Sequence, residues 1–305
     1  MILRYVARRS IEAVITLAAM SIVVFALARL TGDPTLSLLD PTAPPSEIAR
    51  VRHQYGLDQP VPIQYLTYMG DLLHGNLGVS VRAGRPVLDL ILERAPNTLS
   101  LALVTATFAT CAALITGVLA GTNAGSPLDG VIQSIVGVCQ AVPGFWVAIL
   151  LVLIFSVTLR VLPFAGVGGP QYYVLPAIAL GLGTFATLTR VLRSSMIEAM
   201  NSDPINLARA KGLAESTIIR RHALRNAVIP ALSLAGLAFS TLLGGAVIVE
   251  NVFAWPGLGT LAYNAILWRD FPLMQGLILF MIFLAILVNL VVDILAACAD
   301  PRIAR

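Results

Sequence analysis

One short polar segment in this largely apolar chain could engage a soluble partner. It reads Asn206-Leu207-Ala208-Arg209-Ala210-Lys211-Gly212-Leu213 and lies between two long apolar runs. Lys211 is the sole lysine in a chain with 20 lysines and arginines in total. A phosphate-binding loop of the G-x-x-x-x-G-K-[ST] type needs a hydroxyl residue after its lysine, whereas Gly212 follows Lys211. The chain therefore does not hold ATP in this way, and its energy source must be another polypeptide or an ion gradient.

The segment is predicted to form a short helix with its own start and stop signals. Asp203 is expected to be the N-cap, with Pro204 in the first helical position. Lys211 complements the dipole at the far end, and Gly212 suits the left-handed position that follows a helix. About two turns are too few for stability in isolation, so the helix needs a surface to dock on. The small-residue face that we expect to dock comprises Ile205, Ala208 and Gly212. The alternative is a basic loop that only follows the charge bias of membrane topology.

The composition is that of an integral membrane protein. Of 305 residues, 57% are hydrophobic and 12% are charged, and the mean hydropathy is +0.85. Soluble domains carry about 25% charged residues. The pI near 9.2 is explained by arginines on membrane loops, so we expect no nucleic-acid binding. The three cysteines have no metal-site spacing, and we expect no metal.

Six apolar segments are long enough to cross a hydrocarbon core of about 30 Å, which takes about 20 residues. They cover approximately residues 10–31, 98–121, 131–158, 174–196, 229–250 and 273–297. Within the third segment, Pro143-Gly144 predicts a kink or a helix start. The first segment exceeds the usual apolar run of a signal peptide, about 7–15 residues, so we favour an uncleaved helix over a cleaved leader. The predicted fold is all-α with six transmembrane helices.

The polar segments are expected to carry further helices. An amphipathic helix on the membrane surface is predicted over residues 85–94, with charges opposite an apolar face formed by Val87, Leu88, Ile91 and Leu92. In the loop between the fourth and fifth apolar segments, residues 197–229, a second helix is predicted from near Ser216 towards Pro230.

The arginines predict the orientation of the chain. With the N-terminus in the cytoplasm, 12 of the 20 basic residues lie inside, and the short outside loops contain only Arg160 and Arg269. Both termini are therefore expected to be cytoplasmic. The inside loop Gly121–Gly130 departs from this bias because it has no basic residue and one acid, Asp129.

The chain resembles a known family in motifs that extend over almost its whole length. Residues 208–213 followed by Arg221-His222-Ala223-Leu224-Arg225-Asn226-Ala227-Val228-Ile229-Pro230 look like the EAA-type loop of ABC-importer permeases. The similar group is the dipeptide/oligopeptide/nickel permeases, specifically the first of their two permease subunits. Further matching segments are 55–60, 64–65, 75–78, 85–87, 244–250, 253–259 and 300–302. The chain departs from the pattern at Pro204 and Asn206, and it lacks the usual glutamate of the motif.

The resemblance implies the ABC transmembrane type-1 fold and a permease subunit that imports peptides, with nickel chelates, glutathione or sugars as alternatives. The implied domains are a transmembrane helix (1–31), an extracytoplasmic loop region (32–94), the permease core (95–297, with the coupling loop 197–229) and a cytoplasmic tail (298–305). The short helix would be a coupling helix that docks in a groove of a separate ATPase. The residues to which this role is carried are Asp203, Ala208, Ala210, Lys211, Gly212 and Glu215.

The resemblance also implies the partners and the location. They are a second, related permease, one or two P-loop ATPase subunits that bind ATP and Mg²⁺, an extracytoplasmic solute-binding protein, and the lipid of a bacterial cytoplasmic membrane. The chain itself would be no enzyme and hold no cofactor. One rival is a secondary transporter driven by an ion gradient, which predicts inverted repeats and polar residues at mid-membrane. Another is a membrane scaffold that binds a cytoplasmic partner without transport.

Overall fold

The computed structural model describes residues 2–30, 44–54 and 56–299, so the predictions on residues 31–43 and 300–305 lie outside the described residues. The regular structure of the described part is helical, with one isolated bridge between Val79 and Pro86. The helices are α1 (Ile2–Leu30), α2 (Pro45–Gln54), α3 (Val61–Leu73), α4 (Val87–Thr122), α5 (Pro127–Ala141), α6 (Gly144–Thr158), α7 (Gln171–Met200), α8 (Asp203–Ala210), α9 (Glu215–Val252), α10 (Leu258–Leu267) and α11 (Phe271–Ala299).

Five helices among the described residues are long and apolar enough to cross a membrane, and a bent pair brings the number to six if it counts as one span. The five lie in α1, α4, α7, α9 and α11, and the bent pair is α5 with α6. Because apolar helices satisfy their backbone groups internally, this is the architecture that a bilayer permits. The all-α membrane class is confirmed.

The third predicted span, residues 131–158, is two helices that meet at 101° and not one straight helix. Val142 is extended, with φ −92° and ψ 127°, because the proline that follows it disfavours the helical region. Pro143 also lacks the N–H that a continuous helix would need. A new helix begins at Gly144, which confirms the predicted helix start.

The separate surface helix predicted over residues 85–94 is wrong. Residues from Val87 onward are the first turns of α4, which runs unbroken through Pro96 to Thr122. Val87 and Ile91 are fully buried, and Gly276 of α11 lacks the Cβ that would meet Val87 at 2.7 Å. This close packing favours a continuous helix despite the hydrogen bond that Pro96 removes.

The chain divides into two compact units. Unit 1 comprises residues 1–98 and 256–305, and unit 2 comprises residues 99–255. In unit 1, α3 lies against α1: the ring of Phe25 is 5.4 Å from that of Tyr65, whose hydroxyl is 2.9 Å from the Ser21 hydroxyl. The interaction of α3 with the first span is thus built from aromatic and hydroxyl contacts.

In unit 2, α4 and α7 approach closely at two glycines one helical turn apart. A Cβ on Gly117 would meet Leu192 Cβ at 2.9 Å, and a Cβ on Gly121 would meet Met196 Cβ at 2.5 Å. The Thr116 and Thr189 hydroxyls lie 2.9 Å apart nearby. Small residues that allow close backbone approach, with hydroxyls bonded between helices, are typical of packing inside membranes. The closely packed α4–α7 pair holds Leu192 and Met196, which also contact the candidate site described below.

Candidate docking surface between α7 and α9

The helix start predicted in the loop is confirmed, but its N-cap is one residue earlier than predicted. Ser202 takes the N-cap position with φ −77° and ψ 152°, and Asp203 is the first helical residue. The Ser202 hydroxyl donates to the Ala199 carbonyl at 2.7 Å, so its side chain does not cap α8. The Asp203 carboxylate still lies in the first turn, where it complements the positive end of the helix dipole.

The end of α8 is a Schellman turn centred on Gly212. The Gly212 N–H donates to the Arg209 carbonyl at 2.9 Å, and the Leu213 N–H donates to the Ala208 carbonyl at 3.2 Å. Gly212 has φ +74°, in the left-handed region that favours glycine. The prediction that Gly212 ends the helix in this conformation is confirmed.

The inner face of α8 is held by the chain's own core. Ile205 and Ala208 are 3% and 7% exposed. They belong to a buried apolar cluster, here called the loop core, whose other members are Leu192, Met196, Ile218, Ala223, Ala227 and Ala231. The face that the sequence assigned to docking is therefore turned inward at these two positions, because an amphipathic helix buries its most apolar stripe against the nearest core.

The outer face of α8 is exposed and continues into the turn after it. Leu207 and Leu213 are 57% and 42% exposed. The other exposed residues of this surface, which we call the docking face, are Pro204, Asn206, Ala210, Lys211 and Gly212. Of the site residues predicted from the sequence, Ala208 alone is buried, and Asp203, Ala210, Lys211, Gly212 and Glu215 are exposed.

Sequence reasoning missed Leu207 and Leu213 as candidate contacts. The available signal was that Leu207 falls on the opposite side of the helix from Ile205 and Ala208, among polar residues. An exposed leucine on an otherwise polar helix face is informative only when its neighbours also form a partner-sized surface.

A bidentate ion pair closes the turn between α8 and α9. Arg209 Nη2 donates to Glu215 Oε1 at 2.7 Å and Arg209 Nε donates to Oε2 at 3.3 Å. Arg209 Nη1 also donates to the Met200 carbonyl at 3.3 Å. The hydrogen bonds to Glu215 raise the pKa of Arg209 above its usual range. Both side chains remain about half exposed, so the pair orients the turn and contributes little to stability.

A second bidentate pair lies at the start of α5. Arg193 donates to the Asp129 carboxylate through Nε at 2.7 Å and Nη2 at 2.6 Å. The Gly125 N–H donates to the same carboxylate at 2.9 Å. Asp129 is 4% exposed, so α7 neutralises the acid that the basic-poor loop Gly121–Gly130 contains.

Two family models match the chain. The family described as "Binding-protein-dependent transport system inner membrane component" matches residues 113–305. Its N-terminal companion, described as "Binding-prot-dependent transport system membrane comp, N-term", matches residues 2–102. The first match alone covers more than half of the chain and includes the whole docking face.

Relatives of similar length are named for transport permeases. A protein of Brucella abortus (strain 2308), whose name assigns it provisionally to a peptide transport system permease, is 39% identical, with 97% of each chain covered. The glutathione transport system permease protein GsiC of Escherichia coli (strain K12) is 37% identical, with 99% of each chain covered. The oligopeptide transport system permease protein AppB of Bacillus subtilis (strain 168) is 35% identical, with 98% of each chain covered.

Solved structures share the fold. A structure of the MetNI methionine ABC transporter in inward-facing conformations matches with a TM-score of 0.60 and 19% identity, covering 69% of this chain and 96% of that chain. An amino acid ABC transporter structure with histidines matches with a TM-score of 0.52. At this level of identity the likeness shows the helical fold of an ABC-transporter membrane subunit.

Proposed function

The chain belongs to the family of binding-protein-dependent transport system inner membrane components, and from this premise we propose that it moves peptides through an ATP-driven importer and that α8 couples it to the ATPase. Membership makes the chain a multi-pass membrane permease whose ATP hydrolysis is carried out by separate subunits. Peptide cargo is supported by relatives named for peptide, glutathione and oligopeptide transport. Glutathione is itself a short peptide, so these names agree on the chemical class.

The observation that carries the coupling role is the division of α8 into two faces. Ile205 and Ala208 are anchored in the loop core with residues of α7 and α9. The docking face on the other side exposes Leu207 and Leu213 at 57% and 42%. A short helix with one face fixed in the core and exposed leucines on the other fits the helix-in-groove mode of recognition.

This arrangement gives a mechanical route from the ATPase to the membrane helices. ATP binding would bring the two ATPase domains together and displace α8. Because Ile205 packs in the same cluster as Leu192 of α7 and Ile218 of α9, a displacement of α8 moves the ends of both helices. The ligand thus biases a two-state element through a partner subunit, and hydrolysis resets it.

The proposed topology has both termini and the α8 loop in the cytoplasm, with α5 and α6 forming one broken span of six. It is supported by the arginine bias of the loops. The proposed assembly contains a second, related permease, one or two P-loop ATPase subunits that bind ATP and Mg²⁺, and an extracytoplasmic solute-binding protein. The substrate pathway would lie between the two permeases.

The test is affinity purification of the tagged chain from its native membrane in mild detergent, followed by mass spectrometry. We expect a second permease and at least one P-loop ATPase to co-purify. Leu207→Asp should abolish recovery of the ATPase and leave the second permease in place, because it puts a charge on the docking face alone. Recovery of this chain without any ATPase, when a control transporter stays intact, would refute the coupling role.

Uptake of radiolabelled di- and tripeptides into proteoliposomes tests the cargo. We expect uptake that requires ATP and the solute-binding protein. Uptake driven by a proton or sodium gradient without ATP would favour a secondary transporter instead.

A further inference from the structure

Beside α8 lies a basic notch that the coupling role does not use. It has a volume of about 390 Å³, and its lining includes Ser202, Pro204, Arg221, His222, Arg225 and Asn226. Arg221, His222 and Arg225 are all exposed. We call this cavity the basic notch.

The cations of the basic notch lack the acidic partners that nearby arginines have. Arg209 is paired with Glu215 and Arg193 with Asp129. Among the described residues, by contrast, the side chains of Arg221 and Arg225 make no hydrogen bond or ion pair. Residues 201–226 contain five arginines and lysines against two acids, and among the described residues no acid lines the basic notch.

We infer that the basic notch receives an acidic side chain, Asp or Glu, of the ATPase subunit that docks on α8. This inference rests on the proposed function and adds a second contact to it. A guanidinium binds a carboxylate through two parallel hydrogen bonds. Two unpaired arginines around one cavity offer the donors and the charge for such a contact, and complementary charge also steers the partner to its register.

The position of the basic notch favours a protein partner over a lipid headgroup. Pro204 lines the notch and also belongs to the docking face, so one partner can cover both. The exposed residues of α8 also include the polar Asp203, Asn206 and Arg209. The first large exposed apolar side chain of α9 beyond the notch is Ile229, one turn after Arg225. The notch therefore lies before the part of α9 at which large apolar side chains become exposed.

The charge-reversal test uses the complete transporter. We expect Arg221→Glu/Arg225→Glu to reduce ATPase retention by at least about tenfold, because a close charge pair is replaced by repulsion. Arg220→Glu is the control for charge reversal outside the notch, since Arg220 is exposed on the same turn but does not line it. Retention of the second permease reports that the variant is folded. Equal retention in all three proteins would refute the inference.

Photocrosslinking identifies the occupant directly and does not depend on how the charge-reversed variant folds. p-Benzoyl-L-phenylalanine is placed at Asn226, which lines the basic notch, and separately at Leu207 on the docking face. We expect Asn226 to crosslink to a segment of the ATPase that contains Asp or Glu, mapped by mass spectrometry. A crosslink to phospholipid, or only to a permease, would overturn the inference. If Leu207 reaches the ATPase and Asn226 does not, the inference fails and the proposed function stands; if neither does, both fail.

Discussion

Polar side chains are used in opposite ways in the segment before α11 and in the loop that carries α8. In unit 1, Asp270 is 1% exposed and bonded to its own chain on every side. It accepts from the Ser80 hydroxyl at 2.6 Å, from the Arg82 N–H at 3.2 Å and from the Leu273 N–H at 3.2 Å. We call this group the Asp270 clasp. In unit 2, the α8 loop keeps its charged side chains at the surface.

The Asp270 clasp holds backbone segments in place, whereas the exposed α8 loop is still able to bind another molecule. A buried carboxylate with satisfied bonds pins the segments that donate to it, because removing it leaves buried donors without partners. An exposed cation contributes little to folding stability, and its hydrogen-bond donors remain available to another molecule. Substitutions in the Asp270 clasp should therefore change stability, whereas substitutions on the docking face should change partner binding.

The largest effect on stability is expected from Asp270→Ala. Losing the carboxylate leaves the Ser80 hydroxyl and the N–H groups of Arg82 and Leu273 without an acceptor, which we expect to cost about 3 kcal/mol. The measurement is the apparent melting temperature of the purified complex. Asp71→Ala, at an exposed acid in the same unit, should change it little.

A double-mutant cycle sharpens this prediction. Ser80→Ala removes one donor of the Asp270 clasp, so the loss in the Ser80→Ala/Asp270→Ala variant should be smaller than the sum of the two single losses. Strict additivity would show that the two side chains do not act as a unit.

The two faces of α8 provide a matched pair inside one helix. Ile205→Ala opens the loop core, where truncating a buried isoleucine costs about 2–3 kcal/mol, and it should lower the melting temperature. Leu207→Ala should leave the melting temperature unchanged and reduce ATP-dependent peptide uptake, because it truncates an exposed side chain on the docking face. If Leu207→Ala destabilises the protein as much as Ile205→Ala does, the contrast between an anchored face and a docking face is lost.

A smaller loss is expected from Gly121→Ala in the close contact of α4 and α7. The new Cβ would lie 2.5 Å from Met196 Cβ and 3.0 Å from the Arg193 carbonyl oxygen. Overpacking of this kind costs about 1–2 kcal/mol. Gly130→Ala is the control, because no atom lies within 4 Å of its Cβ position, and at an exposed helical site it should be neutral or stabilising. Equal melting temperatures for the two variants would contradict the close contact of α4 and α7 at Gly121.

Local sequence signals predicted the elements of the α8 loop but not which face of α8 would be buried. Pro204 and Gly212 marked the two ends of α8 because proline and glycine restrict or permit backbone angles irrespective of tertiary context. Whether Ile205 and Ala208 point inward depends on where α7 and α9 lie, which no spacing within eight residues reveals.

The wrong surface helix over residues 85–94 has the same physical origin. Its charges and apolar face were read correctly, yet Val87 and Ile91 are buried, because α11 has a glycine at position 276 that admits Val87. The Asp270 clasp could not be predicted from the sequence for a related reason. Ser80 and Asp270 are 190 residues apart, and only the fold brings them together.

The smallest effect on stability is expected for an exposed pair in the same unit as the Asp270 clasp. It tests whether burial, rather than position in unit 1, decides how much a polar pair stabilises the protein. His53 Nδ1 lies 2.8 Å from Asp58 Oδ2, and this hydrogen bond raises the pKa of His53 above 6.5. Its stabilising effect is lost as the pH rises through the raised pKa of His53, and it is also lost as the pH falls through the lowered pKa of Asp58. Asp58→Asn should return the NMR titration midpoint of the His53 ring to about 6.5, with no measurable change in the melting temperature. A destabilisation comparable to that of Asp270→Ala would show that exposed pairs in unit 1 also fix the backbone, and that burial is not the deciding difference.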